Sequence, residues 1–306
     1  PPLTPAWRTN IGGITHFSSP VLAGDKVFIG AADDDDHGHA GVYALDARTG
    51  KVRWHFPTAT SIKHTVAVAH GMVYTASVDG QVYAIAADTG KERWRYSLGS
   101  ALDRWIFSAP LVRDDTLYVG SGPSFAALDA RTGVERWRST ELGGDWISGR
   151  CSPAADNERI YVPVNWSKGL SAVDLHTGKV VWNKQQGFGI SHATPTLAGG
   201  ILFYPANNSL HALDPATGNE HWSFPLPGSW TISSPVVTGD VVLIGGAEGR
   251  LYAIETATGK ERWRFQLGAS LLAFSPYERA GNPVIASPAV SSTIAYLGGT
   301  DGILYA

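Results

Sequence analysis

The stretch LDARTGKVRW, residues 45 to 54, decides the reading of this chain, because it returns five more times. Its relatives are AADTGKERW ending at Trp94, LDARTGVERW at Trp137, VDLHTGKVVW at Trp182, LDPATGNEHW at Trp222 and IETATGKERW at Trp263. Each has Gly four residues before Trp, and successive Trp lie 40, 43, 45, 40 and 41 residues apart. A period in the low forties predicts a β-propeller, with one four-stranded blade per repeat.

Working outward, each phrase is preceded by two short apolar runs, such as DKVFIG then GVYAL, or DVVLIGG then RLYAI. Such alternating runs, punctuated by Gly, Asp and Asn, read as strands joined by hairpins. Within the phrase, Gly suits a chain reversal at positive φ, and the preceding Asp (46, 129, 174 and 214) can accept amide hydrogens of the turn. The Trp then falls at a fixed place on the outermost strand, where its large side chain is expected to pack between neighbouring blades.

Most blades open on a proline run: Ser19-Pro20, Ala109-Pro110, Ser152-Pro153, Thr194-Pro195, Ser234-Pro235 and Ser287-Pro288, with Val66 in the second blade. Proline is confined to strand starts and edges, so this run is expected to begin the innermost strand. The last run, DGILYA at 301 to 306, matches DGQVYA at 79 to 84 and EGRLYA at 248 to 253, so a seventh blade reaches only its third strand. At the other end PAWRTN carries Trp7 with no inner strands ahead of it. The expected fold is therefore an all-β, seven-bladed propeller of four-stranded antiparallel blades, with the N-terminal strand pairing into the last blade and closing the ring. As a single domain spanning 1–306, its blades run over about 11–57, 58–97, 98–140, 141–185, 186–225, 226–267 and 268–306, the last completed by 1–10.

The formal net charge of −3 argues against nucleic acid, which calls for a basic patch. No run approaches the length of a membrane-spanning helix, and Pro1 with no signal peptide reads as the start of a processed or excised piece. The single Cys151 excludes an internal disulfide framework. A monomer is expected.

Chemistry-bearing residues gather where the repeats differ. Segments leading into the innermost strands contribute His16, Lys63, His64, Arg104, Trp105, Trp146, Arg150, His192, Trp230, Tyr277 and Arg279, and a neighbouring hairpin adds Trp166. A lone His beside an inner strand reads more readily as a hydrogen-bonded core residue than as a ligand contact. On one face of a closed ring, however, His16, His64, Arg104, Trp105, Trp146, Arg150, His192, Trp230 and Tyr277 form an axial funnel. Arg can hold carboxylate, phosphate or sulfate in bidentate fashion, His changes charge near neutral pH, and Trp suits sugar rings. The expectation is a module that binds an anionic or saccharide ligand, or a protein partner, on this face. A polysaccharide lyase or hydrolase acting on acidic saccharides is one alternative, since His, Tyr and Arg are the residue types such chemistry uses. A protein-assembly scaffold is another. No catalytic motif is present, so no catalytic residue is assigned.

The first blade's hairpin carries AADDDDHGHAG, where Asp35, His37 and His39 offer oxygen and imidazole ligands for a divalent metal. Adjacent Asp side chains cannot all face one ion, and the run also reads as a solvated loop.

The phrase from LDARTG to Trp resembles the tryptophan-docking repeat of the pyrroloquinoline-quinone-like propellers, over essentially the whole chain. That resemblance implies Trp7, Trp54, Trp94, Trp137, Trp182, Trp222 and Trp263 as docking residues. The group includes quinoprotein alcohol dehydrogenases, an outer-membrane assembly lipoprotein and kinase sensor domains, and it implies a cell-envelope or extracellular location. The quinone enzymes typically have eight blades and a disulfide of adjacent cysteines, so pyrroloquinoline quinone is not expected here, nor is another cofactor. The segments SIKH at 61–64, DRWIFSAP at 103–110 and LLAFSPYERAGNPVIASP at 271–288 are similar to propellers that follow bacterial calcineurin-like metallophosphoesterase domains. The metal-binding motifs of that enzyme are absent, so a parent protein would carry the phosphoesterase elsewhere.

Overall fold

The computed structural model describes residues 5–15, 18–35, 37–99, 108–120, 125–139, 141–142, 151–164, 169–185, 193–228, 232–271, 284–291 and 293–306. The chain divides into two compact units. One holds Pro1–Arg150 with His176–Gly178, the other Cys151–Leu175 with Lys179–Ala306. Every regular element among the described residues is a strand.

The first unit contains three antiparallel sheets, each a four-stranded meander in chain order. They are β1 (Val21–Ala23), β2 (Lys26–Ala31), β3 (Gly41–Asp46) and β4 (Val52–Pro57); β5 (Ala67–Ala69), β6 (Met72–Ala76), β7 (Gln81–Ala86) and β8 (Glu92–Ser97); and β9 (Leu111–Arg113), β10 (Thr116–Val119), β11 (Ala126–Asp129) and β12 (Glu135–Arg138). The second unit contains three more such meanders and one of three strands. They are β13 (Ala154–Ala155), β14 (Arg159–Val164), β15 (Gly169–Asp174) and β16 (Val180–Lys184); β17 (Thr196–Ala198), β18 (Ile201–Ala206), β19 (Ser209–Leu213) and β20 (Glu220–Pro225); β21 (Val236–Thr238), β22 (Val241–Gly245), β23 (Arg250–Glu255) and β24 (Glu261–Gln266); and β25 (Ala289–Val290), β26 (Ala295–Gly298) and β27 (Leu304–Tyr305). Seven successive antiparallel meanders are the blades of a propeller-type fold. No fourth strand joins the last sheet among the described residues, and ring closure is not seen there.

The burial pattern explains the composition of each strand. The second and third strands are covered on both faces and so read as unbroken apolar runs: β3 and β10 are buried throughout. The fourth strand has one wet face, so ERWRYS in β8 alternates half-buried and exposed positions. Core clusters form between consecutive sheets, as where Tyr74, Val82 and Ala84 meet Leu117, Val119 and Leu128. Each first strand begins directly after its proline, or after Val66 in the second sheet, as expected for a residue with no N–H to donate.

The Thr-Gly turns have a defined construction. Oδ1 of Asp129 accepts from the Thr132 amide and hydroxyl, both at 2.9 Å, and from the Arg131 amide at 3.1 Å. Asp46 and Asp214 do the same with Thr49 and Thr217. Just past the turn, each of the six complete sheets shifts register after the residue paired with the repeat Trp: Ala44↔Trp54, Ala84↔Trp94, Ala127↔Trp137, Ala172↔Trp182, Ala212↔Trp222 and Ala253↔Trp263. The bulge leaves the residue before Trp unpaired, and a bulge re-aims such a side chain. Arg136 accordingly reaches back to Oδ2 of Asp129 at 2.7 Å, and Arg53 pairs with Asp46 in the same way. The Arg136 guanidinium, with the turn donors, holds the Asp129 carboxyl down at about 2.

Trp54, Trp94, Trp137, Trp182 and Trp222 each lie on the following repeat's turn. The indole of Trp94 covers Gly133, whose φ is +76°, and a Cβ there would stand 2.7 Å from the ring. Gly is thus required twice, for the left-handed backbone and for the space. Trp54 sits likewise on Gly90, Trp137 on Gly178, Trp182 on Gly218 and Trp222 on Gly259. The indole Nε1 donates at 3.0 Å to the carbonyl three residues before that Gly: Trp54 to Ala87, Trp94 to Ala130, Trp182 to Pro215 and Trp222 to Thr256. Trp7 behaves identically, covering Gly50 and donating to Ala47 at 3.0 Å. An N-terminal segment outside any named strand therefore takes the docking position of a preceding repeat.

Candidate functional site

The residues before each first strand are organised by the repeat itself. Among those directly preceding Pro or Val66, the hydroxyl of one accepts from the backbone amide of its counterpart in the preceding repeat. Ser19 donates to Thr65 at 2.9 Å, Ser152 to Thr194 at 3.0 Å, Thr194 to Ser234 at 2.9 Å and Ser234 to Ser287 at 2.9 Å. One residue earlier comes a second series: Ser18, His64, Ser108, Cys151, Ala193, Ser233 and Ala286. Ser18 accepts from the Gly30 amide at 3.0 Å and Ser233 from Gly245 at 3.1 Å, both on second strands.

His64 belongs to this second series. Its Nε2 lies 2.8 Å from the Ala76 carbonyl and 3.3 Å from the Ala76 amide, and its Nδ1 lies 3.0 Å from the Thr65 carbonyl. The side chain is 1% exposed. Burial pushes its pKa below the ordinary histidine value, keeping the ring neutral at neutral pH. Both ring nitrogens thus face backbone groups of Thr65 and Ala76, at the place where Ser18 and Ser233 use a hydroxyl. The other eight candidates, His16, Arg104, Trp105, Trp146, Arg150, His192, Trp230 and Tyr277, lie outside the described residues.

In the hairpin of the first sheet, Asp33 is the organising residue. Its Oδ2 accepts from the His39 amide at 2.8 Å, its Oδ1 lies 3.3 Å from Nδ1 of His37, and its own amide donates to Ser61 at 2.9 Å. The His39 amide holds its pKa below the ordinary carboxylate value. Asp34 accepts from Ser61 and from the Lys63 ammonium, both at 2.7 Å. Asp35 and His37 are exposed, while His39 lies against Gly12. Among the described residues no three His, Cys, Asp or Glu side chains are gathered as metal ligands, and Asp36 lies outside them. The visible use of these carboxylates is to fasten the hairpin to the segment before the second sheet.

The end of the second unit, where the sequence pattern shows only three strands, differs in its exposure from the other sheets. Leu304 of β27 is 57% exposed, whereas Leu251, its counterpart in β23, is 6% exposed. Ile303 and Tyr296 are also exposed. On the neighbouring sheet, β24 is exposed along its whole length, and Trp263 is 43% exposed with Phe265 beside it.

Comparison with known proteins places these features in a family. The model described as outer membrane protein assembly factor BamB matches residues 38–193 and 171–306. Tetrathionate hydrolase of Acidithiobacillus ferrooxidans is 23% identical over 244 residues, covering 78% of this chain and 42% of that protein. The outer membrane protein assembly factor BamB of Moranella endobia is 25% identical over 220 residues, covering 69% of this chain and 56% of that protein. The chain thus spans about half the length of these relatives. Among solved structures, BamB from Moraxella catarrhalis superposes with a TM-score of 0.73 at 21% identity, covering 98% of this chain and 84% of the other, which is a likeness of fold. Among the described residues no helix is long and apolar enough to cross a membrane.

Proposed function

We propose a partner-binding role in protein assembly for this chain, which belongs to the family of outer membrane protein assembly factor BamB. The observation that carries the reading is the match of that family's model along residues 38–193 and 171–306. The local chemistry agrees with it. Within the described residues, His64 and the turn carboxylates Asp46, Asp129 and Asp214 serve the backbone, and large apolar side chains such as Phe265 and Leu304 stand exposed. Such surfaces recognise proteins by shape. A cell-envelope location follows from the same family. Ring closure belongs to this proposal, with residues 5–10 supplying the fourth strand of the last sheet, and the docking of Trp7 on Gly50 supports it. An anionic or saccharide ligand has no support from His64, which faces backbone groups.

The test is sedimentation of the purified chain with the detergent-solubilised outer-membrane protein assembly complex of its own bacterium. The expected result is a complex of fixed stoichiometry. Failure to form one at about 10 μM, a concentration at which specific interfaces are populated, overturns the proposal. So does turnover of an acidic polysaccharide by the chain alone.

A further inference from the structure

The Thr-Gly turn between β7 and β8 lacks the carboxylate around which its counterparts are built. Four residues before the Gly stand Asp46, Asp129, Asp174, Asp214 and Glu255 in the other five turns, but Ala86 in this one. The rest of the turn is unchanged. The Gly90 amide donates to the Ala86 carbonyl at 2.9 Å, as Gly50 does to Asp46 and Gly133 to Asp129 at 2.8 Å, and Gly50 and Gly90 share a φ of +69°. The Lys91 amide donates to the Thr89 hydroxyl at 3.4 Å, the distance also found from Lys51 to Thr49 and from Val134 to Thr132. Trp54 covers Gly90 and holds the turn in place. The donors that meet Asp129 in the third sheet are therefore present in the second without their acceptor. They are the amides of Asp88 and Thr89, the Thr89 hydroxyl and the Arg93 guanidinium. The Thr89 amide lies 3.3 Å from the Ala86 carbonyl, a long contact. Arg93 precedes Trp94 beyond the same bulge that turns Arg53 to Asp46 and Arg136 to Asp129, and among the described residues it makes no ion pair. The neighbouring acids are engaged elsewhere, Asp88 with Lys26 at 3.2 Å and Glu92 with Arg95 at 2.6 Å.

We propose that this turn is a binding site for a carboxylate supplied from outside the sheet. One oxygen accepts from the Asp88 and Thr89 amides and the Thr89 hydroxyl, and the other from Arg93, as the two oxygens of Asp129 do in the third sheet. Hydrogen bonds to an ionised acceptor are the strong ones, and donors already fixed by the turn lose little freedom on binding. Asp88, Thr89 and Arg93 are exposed, so the group can reach them from solvent. The carboxylate can come from an Asp or Glu side chain of a protein partner, which rests on the partner-binding reading, or from a small free acid. The assembly complex can bind through other surfaces, so failure of this site leaves that reading standing.

The test is amide NMR of the isotope-labelled chain titrated with acetate in place of chloride at constant ionic strength. The Asp88 and Thr89 amides should shift saturably, with half-saturation at about 10 mM, a weak affinity suited to one small group. The Arg131 and Thr132 amides already meet Asp129 and should stay still. Ala86→Asp restores the internal carboxylate and should abolish the response, and Arg93→Gln should weaken it by about tenfold. A peptide blocked at both ends and carrying one Glu is the second probe, with its Gln version as control. Saturable shifts from the Glu peptide alone of the two support a protein side chain as the source. Shifts from acetate without any from the Glu peptide retain the site and assign it to small acids. No saturation below about 100 mM, a concentration at which a site of this affinity is filled, overturns the proposal. So does a response in Ala86→Asp equal to that of wild type.

Discussion

Residues 89–95 and 258–264 have the same sequence, TGKERWR, yet their tryptophans meet different fates. Trp94 covers Gly133 and donates to Ala130 at 3.0 Å. Trp263 stands 43% exposed. Both lie on a fourth strand, opposite an alanine, beyond the same bulge. Local sequence thus sets where the indole points, and the next repeat alone decides whether it is buried. The stabilising unit is the pair of Trp and following Gly, and each sheet is completed by its neighbour. This is the nearest-neighbour logic of repeat proteins, in which interfaces carry much of the stability.

Several substitutions break or sharpen this contrast. The largest effect is expected at Trp137, the most buried of the series at 9% exposure and in contact with Tyr118 and Phe125. Trp137→Ala should lower unfolding free energy by about 3 to 5 kcal/mol, measured by urea denaturation. A smaller loss is expected from Gly133→Ala, which puts a Cβ at φ +76° and 2.7 Å from the Trp94 ring. It should destabilise by about 2 kcal/mol. Trp94→Ala should mask part of that penalty in the double variant, because the clash disappears with the ring.

The smallest effect concerns pH. The Asp129 carboxyl is held at about 2, below its ordinary 3.8, chiefly by Arg136 and Thr132. Its contribution is fully present above about pH 4 and is lost as pH falls through the folded-state value. Asp129→Asn should therefore show a shallower loss of urea midpoint between pH 4 and pH 2 than wild type. Equal slopes in the two proteins would remove Asp129 from the acid-sensitive groups.

Much of this architecture is legible in the sequence because it repeats. The Thr-Gly phrases, the prolines and the apolar runs locate sheets, turns and first strands directly. The direction of docking is not legible, since period alone does not say that Trp94 reaches Gly133 instead of its own Gly90. Nor is the bulge, which shows only as an Arg before Trp in four of the six phrases. His64 illustrates a subtler difficulty. Read as a residue type it suggested a ligand contact, but its place two residues before Val66 matches Ser18 before Pro20 and Ser233 before Pro235, and that place serves the backbone. The remaining candidates come from connecting segments where the repeats diverge, and there periodicity carries no positional information.

The most direct measurement is a paired thermal melt of Trp94→Ala and Trp263→Ala against wild type. Identical flanking sequence makes each the control for the other. Docking by the following repeat predicts a melting temperature lowered by several degrees for Trp94→Ala, as a loss of about 1 kcal/mol or more brings in a domain of this size. It predicts a value within about one degree of wild type for Trp263→Ala, as for a surface substitution. Equal losses in the two variants would contradict the account.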